Sequence, residues 1–209
     1  MMSNSSNSTL LLNFLIALST PTPNFPSPLW KQGFQLEKVE PIITLSDGAQ
    51  AKPDIQFKKH EDYLLFFECK DGSCEEEQLG RYKRMTSTDI TRSHATSLSA
   101  QHINFDLAYL CTTTKEAKLV ASVTHHANPF PILVLGKNNL SRHDASQKFK
   151  SDLPNSILDG ITFDTPIPMS FIPFTPNDDD LTIKIAILQH FATKFGQTFT
   201  LGEICSNRR

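Results

Sequence analysis

The eight residues "YLLFFECK", Tyr63–Lys70, constrain the fold more than any others in the chain. Tyr63 through Phe67 are apolar at odd and even positions alike, and a strand sends alternate side chains to opposite faces. Such a strand has to be covered on both sides, which places it in the middle of a sheet with a layer above and a layer below. Its end breaks the pattern. Glu68 and Lys70 fall on one face and Cys69 on the other.

The flanking sequence supplies the layers. A first helix is expected over Ser8–Leu18, closed by "STPTPNFPSP", whose four prolines exclude a helix. "FQLEKVEPIITLS" reads as a broken strand followed by a turn at "SDG" (46–48). "PDIQFK" reads as the next strand, and "KHED", with His60, as a polar reversal into "YLLFFECK". A helix is then expected from Cys74 to about Met85, with Ser73 and Glu76 as a capping box and Glu75, Glu76 and Glu77 at the positive end of its dipole. The polar stretch from "TSTD" (86–89) through 102 reads as a loop. Two more strands, "FDLAYLCTT" (105–113) and "PFPILVLGK" (129–137), flank a helix in "TKEAKLVASVTHH" that ends at His125-His126. Strands and helices in this order give an α/β fold with a central sheet of mixed direction.

Residues 8–140 are expected to form the core, 141–180 a proline-rich linker or irregular cover, and 181–209 a helical segment. In the last segment Leu181, Ile185, Leu188, Ala192 and Phe195 share a helix face, and Gly196 suits its stop. Asn177 to Asp180 suit its start, and Thr200 with Glu203 forms a capping box for a second helix. This is either the opening of a truncated winged helix or a helical hairpin.

The charge balance excludes some function classes. A net charge of −2 gives no global attraction to nucleic acid, so any such surface has to be a local patch. From 81 to 92 there is one: Arg81, Lys83, Arg84 and Arg92 against Asp89 alone. Four cysteines in 209 residues are too few for a disulfide scaffold, so a reducing, cytoplasmic setting is expected. A zinc site from Cys69, Cys74 and His125-His126 lacks a second well-spaced pair. The apolar run in "TLLLNFLIALST" is too short to span a bilayer, and residues 1–9 hold no Lys or Arg. It reads as a buried helix; secretion, with cleavage near Ala17-Leu18-Ser19, is the competing expectation. No membrane partner is expected.

If "PDIQF" pairs as an antiparallel hairpin with "LLFFECK", Asp54 comes level with the Glu68–Lys70 end. Two carboxylates then converge, the oxygen donors that a hard cation such as Mg²⁺ takes, and the Cys69 backbone carbonyl can add a third. Lys70 can hold a water or balance a phosphate. Gln78 and Tyr82, four apart on the next helix, share one face.

These residues resemble the PD-(D/E)xK nuclease superfamily, the restriction-endonuclease-like fold: Pro53-Asp54 is similar to the PD element and Glu68-Cys69-Lys70 to the ExK element. Gln78-x-x-x-Tyr82 resembles the QxxxY element of RecB-like members. The resemblance covers about residues 8–140. It implies a three-layer core and a Mg²⁺-dependent DNA endonuclease, with Mn²⁺ able to substitute, in restriction, defence or transposition. Asp54 and Glu68 are the implied metal ligands, Lys70 the residue that activates water, and Gln78 and Tyr82 those that orient Lys70 or the DNA backbone. A homodimer or a partner subunit of a larger complex stays open. Many members carry an acid on the first helix, where this chain has Asn13, so that role passes to Glu37 or Glu40 or is missing. The missing acid motivates the alternative, a catalytically inactive nucleic-acid-binding or assembly subunit with the same fold.

Overall fold

A computed structural model describes residues 7–94 and 103–168. In chain order it contains α1 (Asn7–Leu18), α2 (Pro28–Lys31), β1 (Gln35–Val39), β2 (Ile43–Thr44), β3 (Gln50–Ala51), β4 (Ile55–Lys59) and β5 (Tyr63–Lys70). Then come α3 (Glu76–Arg84), α4 (Ser87–Ser93), β6 (Asn104–Thr112), α5 (Glu116–Thr124), β7 (Ile132–Leu135), β8 (Asn139–Arg142), α6 (Asp152–Leu158) and β9 (Ile161–Thr162). Among the described residues the main sheet has seven strands in the order β1-β4-β5-β6-β7-β8-β9. The β4–β5 pair is antiparallel, β5–β6–β7 run parallel, and β8 and β9 return antiparallel. The fold is mixed α/β.

Strand β5 is central, and its alternation sorts the core. Leu65, Phe67 and Cys69 face a cluster with Leu11, Phe14 and Leu18 of α1. Leu64 and Phe66 face a second cluster with Leu79 of α3, Ile90 of α4 and Leu119 of α5. The apolar run at the N-terminal end is therefore core: α1 packs on β5 and β6, and cleavage near Ser19 would strip that layer from the sheet. No helix of the described residues is long and apolar enough to cross a membrane.

The broken strand breaks at Glu40, whose φ of 50° turns the chain before Pro41. The "SDG" turn closes the β2–β3 hairpin, with Gly48 at φ +84°, a conformation that favours glycine. His60 sits in the β4–β5 reversal.

Three expectations are corrected. Helix α3 starts at Glu76, not Cys74, and Ser73 does not cap it: Glu75 is the extended residue before it and makes no side-chain cap bond. Cys74 is buried and its N–H donates to Ser122 Oγ of α5 at 2.9 Å, which keeps the chain outside the helix for two more residues. The stretch read as a loop contains α4, capped by a box in which Thr86 Oγ1 accepts from Asp89 N–H and Asp89 returns the bond to Thr86 N–H. Residues 141–163 are no mere cover, because they complete β8 and supply α6 and β9. Phe149, Leu158 and Phe163 belong to the α1-side core, and the Phe163 ring lies 5.6 Å from Phe14 and 5.3 Å from Phe25. Pro154 is tolerated because it falls in the first turn of α6. The helix expected from Leu181, the Thr200–Glu203 box and the winged-helix question lie outside the described residues.

Candidate active site

The β4–β5 register pairs Ile55 with Phe67, so Asp54, just before β4, lies beside Glu68. Asp54 N–H donates to Phe67 O at 3.0 Å, and Asp54 Oδ2 accepts from Cys69 N–H at 2.6 Å. A strand residue points its N–H and C=O to the same side, so the Cys69 carbonyl also lies toward Asp54. The Cys69 side chain goes to the opposite core, and burial pushes its thiol pKa up. Cys74 lies in the other core, so the two thiols sit on opposite faces of the sheet. Among the described residues no three His, Cys, Asp or Glu side chains gather in a metal-holding group.

Glu68 is only 4% exposed, and it is held from two elements. Its Oε1 accepts from Lys70 Nζ at 2.8 Å and from Gln78 Nε2 at 2.8 Å. Its Oε2 accepts from the Tyr82 hydroxyl. Gln78 Oε1 accepts from Lys70 Nζ, so the amide turns its oxygen to the ammonium and its nitrogen to the carboxylate. The reversed amide would set oxygen against oxygen. Tyr82 OH also accepts from Gln78 Nε2 at 3.2 Å and lies 3.0 Å from Lys52 O. Its single proton goes to the charged acceptor. Burial and then the Glu68 charge push the Tyr82 pKa up, so it acts as a neutral donor.

The electrostatics are unbalanced. Burial first, then the charge of Glu68, raise Asp54 from 3.8 to about 7. The Cys69 N–H bond and Lys70 oppose this rise without cancelling it, and Glu40 adds to it. Two close carboxylates thus face one ammonium. Asp54 Oδ1 has no hydrogen-bond partner among the described residues, and Glu68 Oε2 keeps a lone pair. With the Cys69 carbonyl these are hard oxygen donors of the kind Mg²⁺ takes, with water filling its other positions.

The helix-one position holds no ligand. Asn13 is fully buried and donates back to Thr9 O at 2.8 Å on its own helix. Of the two substitutes, Glu40 is the one brought to the site: its N–H donates to Asp54 O at 2.8 Å, and its charge acts on Asp54. The four basic residues have different neighbours. Arg81 and Arg84 border a cleft next to Gln78. Lys83 donates to His126 O, and Arg92 pairs with Asp89 at 3.0 Å and Thr44 O at 2.9 Å. Sequence reasoning missed Lys52, which borders the same cleft and immediately precedes Pro53-Asp54. It also missed Tyr109, whose ring lies 6.4 Å from that of Tyr82 and whose hydroxyl meets Cys74 Sγ at 3.4 Å.

A family model described as the MJECL32 domain matches residues 7–172, a range that contains every element from α1 to β9. No curated protein and no solved structure matches the chain.

Proposed function

We propose that this chain, which belongs to the MJECL32 domain family, is a Mg²⁺-dependent nuclease of the PD-(D/E)xK type that hydrolyses phosphodiester bonds in DNA. The observation that carries this reading is the buried Glu68–Lys70 pair, locked to Gln78 and Tyr82 and set beside Asp54. Burying charges costs several kcal/mol per ion even when they are paired. A surplus carboxylate adds to that cost, and a bound cation would remove it. The run of α1, the antiparallel β1, β4 and β5, α3 and the parallel β6 also supports the restriction-endonuclease-like layout.

Asp54, Glu68 and the Cys69 carbonyl would hold the cation, which when bound supplies positive charge to the phosphate and acidifies water. Lys70 is fixed by Glu68 and Gln78, so its remaining N–H can hold the attacking water or a phosphate oxygen without rearranging. Gln78 and Tyr82 are positioning residues: they fix the oxygens of Glu68 and, through Gln78, the ammonium. The free thiols of Cys69, Cys74 and Cys111 suit a reducing, cytoplasmic setting.

The test is incubation of the chain with supercoiled, linear and single-stranded DNA, with and without Mg²⁺ or Mn²⁺, beside Asp54→Ala and Lys70→Ala. Cleavage that needs the metal and disappears in both variants is expected. Cleavage by Lys70→Ala at the wild-type rate would remove the assignment. A second reading, an inactive nucleic-acid-binding or assembly subunit, is favoured by Asn13, which is engaged with its own helix. It predicts nucleic-acid binding without cleavage in either metal.

A further inference from the structure

Beside Gln78 the surface opens into a cleft of about 450 Å³. One wall is α3, with Glu77, Gln78, Arg81 and Arg84; the other is the β2–β3 hairpin and the chain after it, with Gln50 and Lys52. Gln78, Arg81 and Arg84 recur at three-residue steps, so they stand in a row along one helix face, about 4.5 Å of rise per step. The row begins at a residue of the candidate centre and leads away from it. Lys52 ties the opposite wall to the same centre, since its carbonyl lies 3.0 Å from Tyr82 OH. Arg81 pairs with Glu77 at 2.5 Å and Arg84 with Asp47 at 3.3 Å, and the Arg84 side chain is 53% exposed. Surface pairs of this kind contribute about 0–1 kcal/mol, so a phosphate can replace the carboxylate on either guanidinium.

We propose that this cleft seats a single strand of nucleic acid, with phosphates on Lys52, Arg81 and Arg84, and feeds its backbone past Gln78 to Asp54, Glu68 and Lys70. The inference rests on the nuclease reading of that centre. The cleft has the volume of a small-ligand site, about 300–1,000 Å³. That is room for a short stretch of one strand's backbone. Lys83 and Arg92 do not line the cleft: Lys83 is turned to His126 O, and Arg92 to Thr44 O and Asp89.

The test is equilibrium binding in EDTA, where no metal-dependent cleavage occurs, to labelled oligonucleotides of about 12 nucleotides. DNA and RNA of one sequence are compared with the matching duplex. The combined Lys52→Gln, Arg81→Gln, Arg84→Gln variant is compared with Lys83→Gln, Arg92→Gln, after thermal melts show both folded. The expected result is at least about tenfold weaker single-strand binding by the triple variant alone. Its plot of log affinity against log salt should be flatter by about 2, at about 0.7 per phosphate contact on a single strand. The tighter of DNA and RNA identifies the sugar, and either outcome supports the cleft. Wild-type binding by the triple variant, equal loss in the Lys83→Gln, Arg92→Gln control, or duplex bound as tightly as single strand would overturn it. A chain that never cuts but loses binding in the triple variant keeps the cleft and loses the nuclease reading. A chain that cuts while the triple variant binds normally does the reverse.

Discussion

Two acids lie buried on neighbouring central strands, Glu68 on β5 and Asp106 on β6, at 4% and 3% exposure. Their surroundings differ in kind. Asp106 accepts from Lys150 N–H at 2.7 Å, Ser151 N–H at 3.2 Å and Tyr63 OH at 2.7 Å. Two of these donors are backbone groups at the entry to α6, so the carboxylate fastens that helix to the sheet. Glu68 accepts only from side chains, one of them the Lys70 ammonium, and has a second carboxylate next to it. Asp106 is satisfied with nothing more added. The Glu68 centre has beside it a second carboxyl that is pushed toward its protonated form, and it holds unbonded oxygens. Equal burial therefore separates into an acid that fastens the fold and one whose charge is left unbalanced, by what surrounds each.

The largest expected effect is on the structural side. Asp106→Ala removes the acceptor of three bonds, from the exposed Lys150 and the half-buried Ser151 and Tyr63; at about 0.5–1.5 kcal/mol per bond, urea unfolding should show a loss of about 3 kcal/mol. The folded fraction should bind metal as before. A loss below about 1 kcal/mol would break the contrast by making Asp106 dispensable.

Lys70→Ala comes next. Removing a preorganised donor costs about 10²–10³ in rate, so metal-dependent cleavage should fall by at least about a hundredfold, measured as nicking of supercoiled DNA under single-turnover conditions.

The third test uses the raised pKa of Asp54. A carboxyl that titrates at 3.8 unfolded and at about 7 folded holds its proton more tightly in the folded state. It therefore favours folding most below about pH 4, and that advantage is lost as the pH climbs through about 7. In EDTA the wild type should lose on the order of 2 kcal/mol relative to Asp54→Asn between about pH 5 and pH 8. Parallel pH profiles of the two proteins would place the burden of charge elsewhere. Tyr82→Phe should be mildest. Losing one hydrogen bond to Glu68 costs about 1 kcal/mol, seen as a fall in kcat with KM held and no change for Asp106.

The unbalanced acid was legible in the sequence and the structural one was not. "FFECK" announces itself because Lys70 follows Glu68 by two and because Pro53-Asp54 stands one hairpin upstream. Alternation and the i, i+4 rule then suffice to gather Asp54, Glu68, Lys70, Gln78 and Tyr82. "FDLAYL" looks much the same, yet the donors to Asp106 from the α6 entry lie 44 and 45 residues later in the chain. No local pattern reaches that far. Helix α4 was hidden by its polar surface, since its core anchor is Ile90, although Thr86 and Asp89 stood at capping-box spacing. Prolines hid α6 and β9, because Pro154 breaks a helix interior but not a first turn. The tertiary partners of the basic residues were not legible either: Arg84 and Arg92 both reach the β2–β3 hairpin, at Asp47 and Thr44, while Lys83 turns to His126 after α5.

The most direct test of the central claim is titration calorimetry with Mn²⁺ and Mg²⁺ on the wild type and on Asp54→Asn. The account predicts saturable binding that Asp54→Asn abolishes. Absence of binding in the wild type, or equal binding in Asp54→Asn, would contradict it.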